Sequence, residues 1–282
     1  MKFKISHVTE YSFDSEVFLE PHYLRLRPQK TPYLEVLDFS LKIKSKPAGY
    51  RSIQDEESNH VDFCWFDGLT QKLSISTQSV VEVRDHNPFD FIVHPVLFKT
   101  VPFEYDDRQK KLLPATLEKM SVPADLERYA ADVLGVSQFD SVQFVINLTR
   151  KIHEDFKVEY REEGPPMLPS ETFQLKAGSC RDLSWMQINL LRHLGFAARF
   201  VSGYLYFDME EPSYELHGWT EVFLPGAGWV GLDPSHGILT GNTHFPVASS
   251  AYYQNTMPVS GGFRGTANSK LITQLSIETI NE

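Results

Sequence analysis

Cys180, His217 and Asp233 occur in settings that suit nucleophilic catalysis. Cys180 lies in QLKAGSCRDLSWMQINLLRHLG, between a glycine-containing turn and an amphipathic helix. A cysteine attacks only as thiolate, and the dipole at a helix start favours that anion. Asp182 works against it, although an aspartate in a first turn also caps free amides. The thiol therefore needs a basic partner. His217 opens the strand HGWTEVFL, Asp233 closes the strand WVGLDP, and PGAG joins them as a hairpin turn. A hairpin brings such ends together, giving a nucleophile, a base and a group that orients the base. Symmetric closure at Leu224 and Trp229 would set Asp233 opposite Thr220, so a register shift or a bulge must bring it to His217.

Other residues with metal or thiol chemistry have plainer settings. His153 begins HED on a helix without a second histidine at i+4, and His86 and His94 sit in a connector without zinc-type spacing. No metal and no cofactor are expected. Cys64, inside VDFCWF, reads as a buried strand residue. With two cysteines in 282 residues there is no disulfide framework. The start, MKFKISHVTEYSF, alternates like a strand and lacks the apolar run of a secretory signal. A reduced, cytoplasmic protein is expected. The net charge of -10, from 27 basic and 37 acidic residues, argues against a nucleic-acid or anionic-membrane partner. No apolar run is long enough to span a bilayer. Nothing sets the oligomeric state.

The elements that must position the three residues follow from periodicity. Residues 1–84 are β-rich: KFKISHVTEYSF, LDFSLKIKS, HVDFCWF and LSISTQSVVEV are short segments of aromatic and β-branched residues, several alternating with period two. Residues 85–122 form an aromatic, proline-rich connector expected to pack on both halves. In 123–282, PADLERYAADVLG and DSVQFVINLTRKIHEDF carry apolar residues at helical spacing, with Asp140 or Ser141 as a cap for the second. REEGPPMLPSE reads as a loop. From Arg181, the residues Leu183, Met186, Leu190, Leu191 and Leu194 make one face, and Gly195 stops the helix. Strands AARFVSGYLYF, HGWTEVFL and WVGLDP follow, and SKLITQLSIETI is expected to close the second domain.

GSCRD at 178–182, HGWTEV at 217–222 and GWVGLDPSHG at 228–237 together resemble the bacterial transglutaminase-like superfamily, and LLRHLGFAARFVSGY and the β-rich start resemble it as well. The resemblance implies an α+β fold. In it, a papain-like core, with the cysteine helix packed on an antiparallel sheet, follows a β-rich N-terminal domain. It implies Cys180 as nucleophile, His217 as general base and acid, and Asp233 as the orienting carboxylate. The Cys180 N–H would be one oxyanion donor. Gln174 is a candidate second donor, six residues upstream, the offset at which papain-like proteases place a side-chain donor. The indole donor of animal transglutaminases has no counterpart, since Phe173 cannot donate a hydrogen bond, which argues against animal-type crosslinking. Trp219 is a candidate wall of the site, and Gly218 would widen the cleft. Asp182 and Glu221 are read as holding local structure.

The implied reaction is acyl transfer from an amide bond of a peptide or protein through a thioester. Hydrolysis, as in a cysteine protease or amidase, is favoured because water is always present. Three alternatives stay open: transfer to an amine, as in transglutaminases; transfer from a thioester cofactor, as in arylamine acetyltransferases; and a non-catalytic protein-binding module on the same fold.

Overall fold

The computed structural model describes every residue except 162–163, 210–212 and 281–282. In chain order the N-terminal strands are β1 (Lys2–Leu19), β2 (His22–Leu24), β3 (Leu34–Lys44), β4 (Gly49–Gln54), β5 (His60–Trp65) and β6 (Thr70–Val83). Next come α1 (Asp107–Leu112), α2 (Ala124–Val136), α3 (Ser141–Asp155), β7 (Lys157–Val158), α4 (Pro169–Leu175), β8 (Ala177–Gly178) and α5 (Cys180–His193). The chain continues through β9 (Ala198–Phe207), β10 (Ser213–Leu224), β11 (Gly228–Asp233), β12 (Ile238–Leu239) and β13 (His244–Ser250). It finishes with β14 (Val259–Ser260), β15 (Phe263–Arg264) and β16 (Ser269–Ile280).

The N-terminal half is two packed sheets. One contains β15, β1, β6 and β3, with β16 on β1, and the other runs β14-β2-β5-β4. Alternation in β1 and β6 turns Val17, Leu73 and Ile75 inward against Leu24, Leu26 and Cys64, so Cys64 is a buried core residue. The strand expected to close the second domain does not belong to it. β16 runs antiparallel along β1 from Lys2↔Ile280 to Phe13↔Ser269. β14 and β15 likewise join the N-terminal sheets. Alternation marks a strand, but any edge with free backbone groups can accept one, and here that edge is β1.

The second core lies between helices and the sheet β12-β11-β10-β9-β13. It gathers Leu126 and Val133 of α2, Phe144 and Leu148 of α3, Leu183, Met186 and Leu190 of α5, and Phe200, Val222 and Leu232 of the sheet. The helices begin as their caps dictate: Asp140 accepts from the backbone N–H groups of Val142 and Gln143 at 2.9 and 2.8 Å. Gly195, at φ 92°, follows α5 in the left-handed region. From the connector, Phe98, Val101 and Tyr105 lie in this core, and the Tyr105 hydroxyl donates to Phe223 O at 2.7 Å.

α5 differs from the one-faced helix that its apolar spacing suggests, because Asp182 through Arg192 are all buried. Its polar residues are tethers. Ser184 Oγ donates to Gly218 O at 3.1 Å, Thr220 Oγ1 donates to Ser184 O at 3.2 Å, and Gln187 Nε2 donates to Thr149 Oγ1 at 2.7 Å. α4 falls within the stretch read as a loop and runs past it. Pro165, Pro166 and Pro169 suggest broken structure, but a proline at the first helical position fits the helical φ and spares an amide that has no partner.

Phe3, Ile5, Val81 and Ile277 of the first sheet meet Tyr204, Tyr206, Phe245 and Val247 of the second domain in a third cluster. Beside it, His7 Nδ1 lies 3.0 Å from the Tyr204 hydroxyl and Nε2 lies 3.1 Å from Thr9 Oγ1. Burial pushes the His7 pKa down to about 4 from 6.5. Between those values the unfolded chain holds more protons than the folded one, so stability falls as pH falls through that window. The full effect of this residue is about 3 kcal/mol. Urea unfolding at pH 7 and pH 4.5 should show a steep loss in the parent protein and a shallower one in His7→Gln. Equal slopes for the two proteins would contradict the assignment.

Candidate active site

α5 begins at Cys180, so the thiol stands in the first turn, where helix amides lack intrahelical acceptors. The turn is shaped by Asp182, whose carboxylate is wholly buried. It accepts from Ser179 N at 2.7 Å, Ser179 Oγ at 2.6 Å, Met167 N at 2.7 Å and the Arg161 guanidinium at 2.5 Å. Asp182 thus ties the turn to Arg161 and to Met167. Gly178 is needed beside it, since a Cβ there would stand 2.8 Å from Asp182 Cβ. Gly178 lies in β8, which pairs in parallel with β7, rather than in a turn.

His217 lies on the central strand of its sheet. The hairpin closes one residue tighter than symmetric closure at Leu224 and Trp229. Leu224 pairs with Gly228 and Thr220 with Leu232, across the loop Pro225–Ala227, with Gly226 and Gly228 at φ 91° and 81°. One further step in this register sets Asp233 beside Trp219, on the face that carries His217. A one-residue slip in a strand exchanges faces, so this closure alone moves Asp233 to the correct side. His217 Nε2 donates to Asp233 Oδ2 at 2.9 Å, and both side chains are wholly buried.

Asp233 holds more than His217. His236 Nδ1 at 2.9 Å and His244 Nε2 at 3.1 Å also reach Oδ2, while Ser235 donates to Oδ1 through its N–H at 3.0 Å and its hydroxyl at 2.6 Å. His244 belongs to β13, separated from β11 by two strands in the sheet order, so the sheet curls around this carboxylate. His217, Asp233 and His236 offer ligand atoms within 4.8 Å of one another. That is a donor set a divalent ion accepts, and sequence spacing did not reveal it. Here one nitrogen of each imidazole is already hydrogen-bonded to the carboxylate.

Burial by itself would make the His217 imidazole less basic, but the charges of Asp233 and Cys180 outweigh it, and the net shift is well above the ordinary histidine value. Burial likewise opposes ionisation of Asp233. The charge of His217 and hydrogen bonds from the three imidazoles reverse that, holding the carboxyl well below its usual range. The charge of Cys180 helps to raise the basicity of the imidazole. Asp233 engages Nε2, which leaves Nδ1 as the nitrogen not bound by the carboxylate. Glu215 Oε1 lies 2.7 Å from Nδ1, yet Nδ1 is buried without an aligned hydrogen bond, so that contact is an ion pair.

The other candidates sit differently from expectation. Trp219 is buried behind His217, with ring centroids 6.4 Å apart and planes inclined by 26°, and its far edge packs over Gly203. It supports the imidazole from within the core and does not wall a cleft. Gly218 does not widen the cleft either: a Cβ there would meet Phe200 Cζ at 2.7 Å, so the glycine serves close packing beneath α5. Gln174 is exposed near the end of α4, and among the described residues none of the hydrogen bonds of His217 and Asp233 involves it. Glu221 pairs with Arg199 at 2.7 Å, a local structural contact. Sequence reasoning missed Glu215, Ser235, His236 and His244. His236 had a local signal, three residues after Asp233 in DPSHG, whereas His244 had none.

Residues 3–82 match the profile of the bacterial transglutaminase-like N-terminal region, and residues 128–234 match that of the transglutaminase-like superfamily. An uncharacterised protein of Mycobacterium tuberculosis is 23% identical over 278 residues, covering 92% of this chain and 87% of its own. The uncharacterised protein YebA of Bacillus subtilis is 23% identical over 267 residues, covering 84% of this chain and 34% of its own length. The crystal structure of a "Putative Cysteine Protease from Cytophaga hutchinsonii" superposes with a TM-score of 0.71 at 18% identity, over 100% of this chain and 92% of that one. At that identity the likeness concerns the fold. With a matching β-rich region ahead of a matching helix-and-sheet core, the chain belongs to the transglutaminase-like superfamily and carries the bacterial N-terminal region before its core.

Proposed function

We propose that the protein is a cysteine-dependent enzyme that cleaves amide bonds of peptides or proteins through a thioester, with water as the final acceptor. The observation that carries this reading is the buried Asp233–His217 pair: the carboxylate engages Nε2, and the charge of Cys180, at the head of α5, acts on the same imidazole. His217 takes the thiol proton, and the thiolate attacks the carbonyl carbon. The oxyanion that forms meets the Cys180 N–H, a first-turn amide without an intrahelical acceptor. Collapse expels the amine, which leaves with the proton from His217. Water, deprotonated by the same imidazole, then resolves the thioester. Asp233 fixes the tautomer, because its contact with Nε2 requires the proton there. The name of the Cytophaga protein points the same way. The binding-module alternative is weaker, since a site without catalysis has no need to bury an ionised carboxylate against an imidazole. Both cysteines are free thiols, which suits a reducing compartment such as the cytoplasm.

Two variants separate chemistry from packing. Cys180 is only partly buried, so Cys180→Ala should abolish turnover of any amide substrate while costing roughly 1 kcal/mol or less in urea unfolding. Asp233→Asn should lower kcat by roughly 10³-fold or more, because the amide admits the wrong imidazole tautomer. It should also lower the melting temperature, because an NH₂ group would then face imidazole donors. A stable, fully active Asp233→Asn protein would exclude the mechanism.

Thiol reactivity gives a check that needs no substrate. Cys64 is wholly buried, and burial pushes its thiol up to about 11. Iodoacetamide at neutral pH should therefore modify Cys180 in the folded protein well before Cys64, as read by peptide mass spectrometry. His217→Ala should slow the reaction at Cys180. Equal rates at the two cysteines in the parent protein would contradict an activated Cys180.

A further inference from the structure

Glu215 is the acidic group set against the proton-transfer atom of the site. It lies two residues before His217 on β10, hence on the same face of the strand. Its Oε1 is 2.7 Å from Nδ1, and its side chain is 43% exposed where that of His217 is 0%. A group approaching Nδ1 from solvent on this side therefore passes the Glu215 carboxylate. Burial would raise the pKa of that carboxyl, but the neighbouring His217 and, more weakly, His236 outweigh it, with Asp233 opposing, and the net direction is down. Glu215 is thus anionic at neutral pH. On the thiol's own side, the charge of Cys180 acts on Arg181, which donates to Arg161 O, and Arg161 is paired with Asp182. The anion beside His217 is Glu215.

The charge balance changes during the reaction. While His217 is protonated, it neutralises Glu215. Once the imidazole has given its proton to the departing amine, a neutral ring stands between two carboxylates, Glu215 and Asp233. Glu215 is then a partly desolvated anion without a counter-charge, which is unfavourable unless a cation arrives. The departing amine is at that place, on the Nδ1 side.

Building on the thioester mechanism above, we propose that Glu215 is a specificity-determining residue that binds a cationic group on the amine side of the scissile amide. The preferred substrates are then amides whose leaving amine carries a second, protonated basic group, as a lysine or ornithine residue or a diamine does. The carboxylate stays ionised throughout and takes no part in bond making, so the reaction remains amide plus water to acid plus amine.

The test has two arms, each comparing the parent with Glu215→Gln, which keeps size and removes charge. In the first, Cys180 is modified by methanethiosulfonates bearing a trimethylammonium, a sulfonate or a neutral methyl group, and rates are read by mass spectrometry. The cation-to-anion rate ratio should fall on the order of tenfold in Glu215→Gln, with little change for the neutral reagent. The influence of Arg161 and Arg181 is common to both proteins and cancels. In the second, two peptides differ only in lysine or norleucine after the cleaved bond. The parent should favour lysine on the order of tenfold in kcat/KM, and Glu215→Gln should bring the pair near parity. An unchanged reagent ratio, or a parent protein indifferent to lysine, overturns the proposal while leaving the thioester mechanism standing. Equal slowing of every reagent and both peptides also overturns it, because Glu215 would then act through His217. A tenfold ratio change in a protein that cleaves no amide upholds cation selection at Glu215 and removes the hydrolase reading instead.

Discussion

A single buried carboxylate organises the second domain. Asp233 is wholly shielded from solvent, and an ionised group in that position is costly unless donors surround it. Here the donors are the Ser235 N–H and hydroxyl and the imidazoles of His217, His236 and His244. They arrive from the centre of the sheet, from the turn after β11, and from the start of β13. Satisfying Asp233 therefore fixes the end of β11, curls the sheet and locks the His217 ring. The same requirement sets the electrostatics: the charge that would be unstable alone is what makes His217 strongly basic in spite of its burial.

The thiol is tied to this centre through the backbone of β10. Residues alternate along that strand: His217 and Trp219 meet the Asp233 cluster, while Gly218 and Thr220 meet α5. The exchange of hydrogen bonds between Ser184 and Gly218–Thr220 sets the helix at fixed height against the strand. Cys180, one turn earlier on α5, is placed by the same contacts. The glycine at 218 lets the helix come close, and the glycine at 203 leaves room for the Trp219 indole that backs the imidazole. Polar residues inside α5 are thus positional devices, each satisfied by a partner on a neighbouring element, and a purely apolar helix would pack without fixing its height.

The N-terminal sheets complete the second domain rather than standing apart from it. Their apolar residues meet Tyr204, Tyr206 and Phe245, and Asn59 exchanges hydrogen bonds with the backbone of Ser249 at 2.8 and 3.0 Å. The chain then returns after β13 to add β14, β15 and β16 to the N-terminal sheets. The last strand pairs along its whole length with the first, so the fold closes on itself.

The local signals in the sequence determined much of this. Periodicity marked the helices around Leu126, Val145 and Leu183 and the strands carrying Cys64, His217 and Asp233. Capping chemistry placed the start of α3 at Asp140 or Ser141, and three short motifs pointed to the Cys–His–Asp set and the family. These are readable because period, caps and turn residues act over a few positions. What the tertiary structure alone decided is non-local. The hairpin closed at Gly228 instead of Trp229, and that one residue put Asp233 on the face of His217. β16 alternates as a strand should, but its partner was decided by which edge was open, 256 residues away in sequence at Phe13↔Ser269 and 278 at Lys2↔Ile280. α4 was hidden because proline signals a break and a helix start with the same letter. His244, Glu215 and the burial of Trp219 depended on the curl of a sheet around a charge. Sequence fixes which groups are available and how each segment repeats; only the folded chain, by satisfying a buried anion from several strands at once, decides which of them meet.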